Sequence, residues 1–336
     1  ADIKVGYSAD PVSLDPHEQL SGGTLQLSHM VFDPLVRFTQ EMDFEPRLAE
    51  SWERIDDTTF RFKLREGVKF HSGNVMTADD VVWTFNRLKS SPDFKAIFEP
   101  YTELKKVNDY TIDLISSGPY PLVLQTATYI FPMDSKFYSG KTKDGKDKAE
   151  LVKHGNSFAS TNLSGTGPFI VTAREQGVKV DFERFADYWD KESKGNVDKL
   201  TLLPIKEDAT RVAALLSGGV DMIHPVAPND HKRVKSADGI DLVTLPGTRI
   251  ITFQMNQSSN EALKDVRVRQ AIVHAINNEG IVKKIMKGFA TAAGQQGPSG
   301  YAGYSEELVP RYDLKKAKQL MKEAGYEKGF KLTMMA

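Results

Sequence analysis

Apolar and polar positions alternate from the first residues of the chain, where Ile3-Lys4-Val5-Gly6-Tyr7 reads as an opening strand. A loop with Pro11, Pro16 and Ser21-Gly22-Gly23 follows. Leu25, His29 and Phe32 then recur at helical spacing until Pro34 ends the run. Thr59–Leu64 is the clearest period-two strand, closed by Gly67. Thr77 offers an N-cap, with Asp80 three residues on as its capping-box partner. Val81, Val82, Phe85 and Leu88 fall on one face of the helix this starts. Tyr110–Ile115 is a further strand, Ser139–Lys148 an exposed loop, and Phe169–Ala173 with Val178–Phe185 a strand pair.

The most informative topology lies between Lys199 and Ile223. Leu200–Ile205 is an apolar strand, and Asp208 is placed to cap a helix carrying Val212, Leu215 and Leu216. Gly218-Gly219 stops that helix, and Val220–Ile223 is a second strand. Strand, short helix and strand predict a right-handed parallel crossover in an α/β domain. Asp241–Leu245 and Arg249–Met255 are expected to add two strands. Past Gln257 the pattern turns helical: Asp265 heads Val266–Ile276, Asn278 heads Ile281–Met286, and Asp313 heads Leu314–Ala324 before Gly325. Lys331–Met335 starts a strand with nothing after it to cover its second face, so the chain is expected to be part of a longer protein.

At 336 residues the chain is long enough for two or three domains. Its 45 acidic and 44 basic residues nearly cancel, which gives no electrostatic reason to expect nucleic acid or an anionic membrane as partner. The absence of cysteine excludes disulfides, thiolate metal sites and cysteine nucleophiles, and suits an oxidising compartment such as a periplasm. Ala1 opens directly into the strand pattern, with no basic or apolar leader, as a mature secreted chain does. The longest uncharged stretch, Ile115–Met133, is broken by Pro119, Pro121 and Pro132, so a soluble protein is expected.

Signs of catalysis are absent. His71 has no second histidine at ligand spacing, and the chain contains no HExxH, G-x-S-x-G or Walker A motif. Asp79 and Asp80 are adjacent on a helix, face different ways, and suit its positive end. Gly165-Thr166-Gly167 precedes a strand and lacks the third glycine of a dinucleotide fingerprint. Trp83, Tyr188 and Trp189 read as packing aromatics. No catalytic residue, metal site or cofactor is expected.

Several stretches together resemble one family. They are Leu48–Trp52 (LAESW), Phe60–Leu64, Gly67–Gly73 (GVKFHSG) and Thr77–Val82 (TADDVV). Gly165–Phe169 (GTGPF), Asp187–Trp189 (DYW), Asp265–Asn277 (DVRVRQAIVHAIN) and Tyr312–Gly325 (YDLKKAKQLMKEAG) follow in order. The chain resembles the peptide/nickel-type solute-binding proteins of ABC importers, especially the dipeptide-binding members. That resemblance implies a two-lobed periplasmic binding protein with an extra subdomain in the first lobe. Lobe I is expected over residues 1–248, with the subdomain at about 38–164, and an incomplete lobe II over 249–336. It implies a monomeric periplasmic receptor that encloses a short peptide between its lobes and delivers it to membrane permease subunits. It also implies that the residues anchoring the ligand's charged ends lie past Ala336. Receptors for a metal chelate, haem or oligosaccharide share the family, while a sensory ectodomain or a hydrolase is the reading from other classes.

Nine residues are candidates for ligand contact. Ser21, Gly22, Gly23 and Thr24 combine close backbone approach with amide and hydroxyl donors, although a turn with an N-cap accounts for them equally. Arg249, Met255 and Asn256 lie at the expected crossover between lobes. Tyr301 and Tyr304, in the uncharged stretch Gly294–Tyr304, are suited to stack on a solute, and a linker is their plain alternative.

Overall fold

The computed structural model describes residues 1–334 apart from Lys194 and Pro246. It comprises two compact units, Ala1–Pro225 and the chain from Val226 onward. The expected crossover at Arg249–Asn256 lies inside the second of these.

The first unit opens with β1 (Asp2–Tyr7), α1 (Gly22–Val31) and the hairpin of β2 (Val36–Phe38) and β3 (Phe44–Pro46). Then come β4 (Ala49–Arg54), β5 (Thr59–Leu64), α2 (Ala78–Ser90), the single turn α3 (Lys95–Phe98), β6 (Tyr101–Asn108) and β7 (Thr111–Ser116). Short helices α4 (Val123–Ala127) and α5 (Ser135–Tyr138) lead to β8 (Phe169–Glu175) and β9 (Lys179–Arg184). The unit closes with β10 (Lys199–Pro204), α6 (Asp208–Leu216) and β11 (Met222–His224).

Two sheets organise it. The five-stranded sheet runs β11-β1-β10-β9-β8, with β10 and β11 both parallel to β1 on its two sides. The parallel crossover expected from Leu200–Ile223 therefore forms. Val5, Leu27, Val31, Phe182 and Leu202 are buried together on the face that α1 covers. The second sheet, β4-β5-β7-β6, is antiparallel. Its period-two strand points Phe60, Phe62 and Leu64 inward, where Val81, Phe85 and Leu88 of α2 meet them. The capping box on α2 forms as predicted, and the Asp80 carboxylate also accepts from the Ser135 amide at 3.0 Å. Helix α6 starts one residue early, so Asp208 is its first residue and not its cap; its carboxylate instead takes the Arg211 guanidinium.

The family-like stretches are joints. His71 lies against the Gly165-Thr166-Gly167 turn: its Nε2 bonds the Gly167 carbonyl at 3.0 Å, and Nδ1 accepts from the Gly165 amide at 3.4 Å. Burial lowers its pKa to about 4, so the ring is neutral with its proton on Nε2. Asp134, fully buried, gathers the neighbouring residues through the Ser72 hydroxyl, the Asn74 amide and the Phe137 N–H. Asp33 accepts from Arg47 at 2.9 Å, the Tyr188 hydroxyl at 3.2 Å and the Trp189 indole at 2.8 Å. Arg47 and Arg65 also lie 4.8 and 4.5 Å from the Trp189 ring.

The second unit holds α7 (His231–Lys235), α8 (Val266–Ala275), α9 (Asn278–Lys284) and α10 (Leu314–Glu323). Helices α8 and α10 pack together, and a small core of Ala262, Leu263 and Val268 takes in Met255 and Met321. Asp265 and Asp313 cap as expected, whereas Asn277 rather than Asn278 caps α9, accepting from the Gly280 amide at 2.7 Å. The strands expected at Asp241–Leu245 and Arg249–Met255 do not form, and Lys331–Met334 is not a strand either; Met335 lies outside the described residues. These segments have strand-like side-chain patterns, but no described residue supplies the ladder hydrogen bonds a strand requires. Val243, Leu245, Ile251 and Phe253 are correspondingly exposed.

Candidate functional site

The parallel strands of the first unit end together. Pro204, Tyr7 and His224 are register partners in one row across β10, β1 and β11. Ligands of open α/β sheets bind outside such carboxyl ends. Past this row the Ile205 amide bonds the Tyr7 carbonyl at 2.7 Å, and the Ser8 amide bonds the His224 carbonyl at 3.2 Å.

Arg211 of α6 fixes the loops that follow. Fully buried, it donates to the Ile205 and Lys206 carbonyls at 2.7 and 3.1 Å and to the Pro225 carbonyl at 2.8 and 3.0 Å. Three carbonyls at the sheet edge are thus satisfied without water.

Helix α1 begins beside the same row. A Cβ built on Gly23 would lie 3.6 Å from the Tyr7 hydroxyl and 4.0 Å from Ala9 Cβ, while one on Gly22 would meet open space. Ser21 is the N-cap: its Oγ accepts from the Thr24 amide at 3.3 Å and donates to Thr24 Oγ1 at 3.0 Å. Thr24 is buried. The amides of Gly22 and Gly23 have no partner within the helix, as is general for a first turn, and lie at its positive end. Ser21→Ala is expected to lower stability by about 1 kcal/mol, the usual value of a lost cap, as a shift in urea midpoint at constant m.

Two residues outside the nine candidates meet here. Tyr7 and His224 stack with ring centroids 5.8 Å apart and planes 15° from parallel. The Tyr7 hydroxyl donates to Gln26 Oε1 at 2.5 Å, and burial raises its pKa, keeping it protonated. Only the strand pairing brings positions 7 and 224 together, so periodicity alone gives no signal for them.

The other five candidates lie in the second unit. Arg249 is exposed. Met255 is a packing residue of the small core. The side-chain oxygen of Asn256 accepts from the Ser258 amide at 3.0 Å, making a local turn. Tyr301 and Tyr304 are partly exposed in successive turns, with the Tyr304 amide bonded to the Tyr301 carbonyl at 3.1 Å. Among the described residues, no group of three or more histidine or acidic side chains is arranged to hold a metal ion, and no helix is long and apolar enough to cross a membrane.

Known proteins share this architecture. The dipeptide-binding protein of Escherichia coli is 29% identical over 97% of this chain and 64% of its own length. Heme-binding protein A of Haemophilus influenzae is 29% identical over 95% of this chain and 61% of its own length. The structure of a periplasmic binding protein, DppA, from Helicobacter pylori, in complex with the peptide STSA, matches with a TM-score of 0.81 at 26% identity, covering 98% of this chain and 67% of that one. The chain thus spans under two thirds of the length of both sequence relatives. These relatives are binding proteins, and the α/β periplasmic-binding-protein fold is the one expected from the sequence. Residues 43–335 match the description "Bacterial extracellular solute-binding proteins, family 5 Middle", and the chain belongs to that family.

Proposed function

We propose that the protein is the receptor subunit of an ABC importer, capturing short peptides outside the cytoplasm and delivering them to membrane permease subunits. The observation that carries this reading is the α1 N-terminus, which sets free amides beside the carboxyl edge of the parallel strands. Backbone donors of this kind recognise a carboxylate or peptide carbonyl without regard to side chains, which suits a receptor for varied peptides. The dipeptide-binding relative and the peptide-bound DppA structure support the same ligand class. Ser21, Gly22, Gly23 and Thr24 are the contacts proposed in the first unit. In the second, Tyr301 and Tyr304 are the contacts proposed, as rings suited to stack on a solute. The receptor acts as a monomer, with lobe I over 1–248 and the part of lobe II from 249 onward, and catalyses no reaction.

The test is mass spectrometry of small molecules released on denaturing the full-length protein purified from its native host. Short peptides in near-stoichiometric amount are expected. Haem, the ligand named for the Haemophilus influenzae relative, or a metal chelate or sugar would overturn the peptide assignment. Nothing released, with no thermal shift against peptide mixtures, would count against the receptor reading itself.

A further inference from the structure

We propose that His224, backed by Tyr7, is a stacking platform that takes an aromatic side chain of the bound peptide; this rests on the peptide-receptor reading above. His224 closes β11, the edge strand of the sheet, so no further strand lies beyond it among the described residues. One face of its ring lies on Tyr7. The side chain is otherwise exposed, and among the described residues its ring nitrogens have no hydrogen-bond partner. Tyr7 is held in turn by its hydroxyl bond to Gln26, so the imidazole rests on a fixed support.

A ring pair serving only to fill the core would be covered, and this one is not. Met222, two residues back on the same face of β11, is 53% exposed and extends the apolar surface alongside His224. A planar ring gains from offset stacking on imidazole and from contact with a thioether, whereas a branched aliphatic chain gains only the area. Tyr7 is a positioning residue and His224 the contact. Stacked aromatic pairs add about 0.5–1.5 kcal/mol, or a preference of roughly two- to twelve-fold for an aromatic over an aliphatic side chain of similar area.

Calorimetric titration of the full-length protein with Ala-Phe and Ala-Leu tests this. The wild type is expected to favour Ala-Phe. His224→Ala abolishes that preference by weakening Ala-Phe more than Ala-Leu, which loses only the contact area, while His224→Phe restores it. Tyr7→Phe keeps the ring, frees it from Gln26, and reduces the preference in part. Thermal melts of each variant identify any that fail to fold, and the wild-type ratio of the two affinities decides the matter without them. Equal wild-type affinities, or a His224→Ala loss of the same size for both peptides, would overturn the platform while leaving the peptide receptor standing. Binding of neither peptide would overturn the peptide reading and the platform with it.

Discussion

Gly165→Ala is expected to destabilise the first unit by about 3 kcal/mol or more, and Gly167→Ala to be nearly as damaging. A Cβ on Gly165 would sit 2.0 Å from the Val31 carbonyl oxygen and 2.7 Å from Phe32 Cδ1; one on Gly167 would sit 2.5 Å from the Val31 carbonyl carbon. The obstacle is backbone at the end of α1, which cannot swing aside as a flexible side chain does. The backbone there is also pinned: the Gly167 amide bonds the Val31 carbonyl at 2.9 Å, and the Asp33 amide bonds Thr166 Oγ1 at 3.1 Å. Moving it would break these bonds and disturb the His71 contacts on the other side of the turn. Overpacking typically costs about 1–3 kcal/mol, and a clash against fixed backbone belongs at or above the top of that range. The measurement is urea unfolding at neutral pH, with Gly140→Ala as a control for strain without contact. Gly140 has a positive φ of 83° but open space around its absent Cβ, so its cost is conformational alone. A Gly165→Ala midpoint no lower than that of Gly140→Ala would refute the close-packing account.

This joint shows which features the sequence disclosed and which it concealed. Gly165-Thr166-Gly167 is conspicuous in the chain, and a nucleotide fingerprint is excluded by its place before a strand. Its actual task depends on Val31, more than 130 positions earlier, which no local pattern discloses. The strand at Thr59–Leu64 and the helix at Ala78–Ser90 were legible because each carries a periodic apolar face and its own end signals. The segments 241–245 and 249–255 carry the same alternation without becoming strands, because a ladder is made by two chains and periodicity describes one. Nothing in the local pattern of α6 marks Arg211, which is fully buried among the carbonyls it satisfies. Ser21–Thr24 was recognisable as a turn entering a helix; the aromatic pair beside it was not, since Tyr7 and His224 meet only through the register of β1 and β11.

Arg87→Met is expected to lower stability by about 3–5 kcal/mol, the cost of leaving a buried charge without its partner. Arg87 and Asp15 are almost wholly buried and pair through two bonds of 2.8 and 2.6 Å. The pair also ties distant segments together, since Arg87 Nε donates to the Ala149 carbonyl at 2.8 Å and the Ser157 hydroxyl donates to Asp15 at 2.9 Å. Asp15→Leu in the same molecule removes the stranded carboxylate, so the double variant should recover part of the loss; no recovery would mean that lost packing dominates. His17 adds a pH dependence. Its Nδ1 lies 3.0 Å from Arg87 Nη1 and accepts from it, so the ring must be neutral. Burial first, and the Arg87 charge second, lower its pKa from 6.5 to about 3. The unfolded chain therefore takes up a proton that the folded chain refuses, and stability falls as pH drops from about 6.5 toward 3, by up to about 1.4 kcal/mol per pH unit from this group. Burial alone would raise the Asp15 pKa, but its bonds to Arg87 outweigh this and lower it. Its contribution is thus intact above the ordinary carboxylate range and is lost only at more acid pH. His71, lowered to about 4, supplies a parallel loss in the upper part of the window. His17→Gln keeps an acceptor for Arg87 and removes the titration, so the difference between its urea stability profile and that of the wild type isolates His17. Profiles that run parallel between pH 6.5 and 4 would show that this imidazole does not resist protonation in the folded chain.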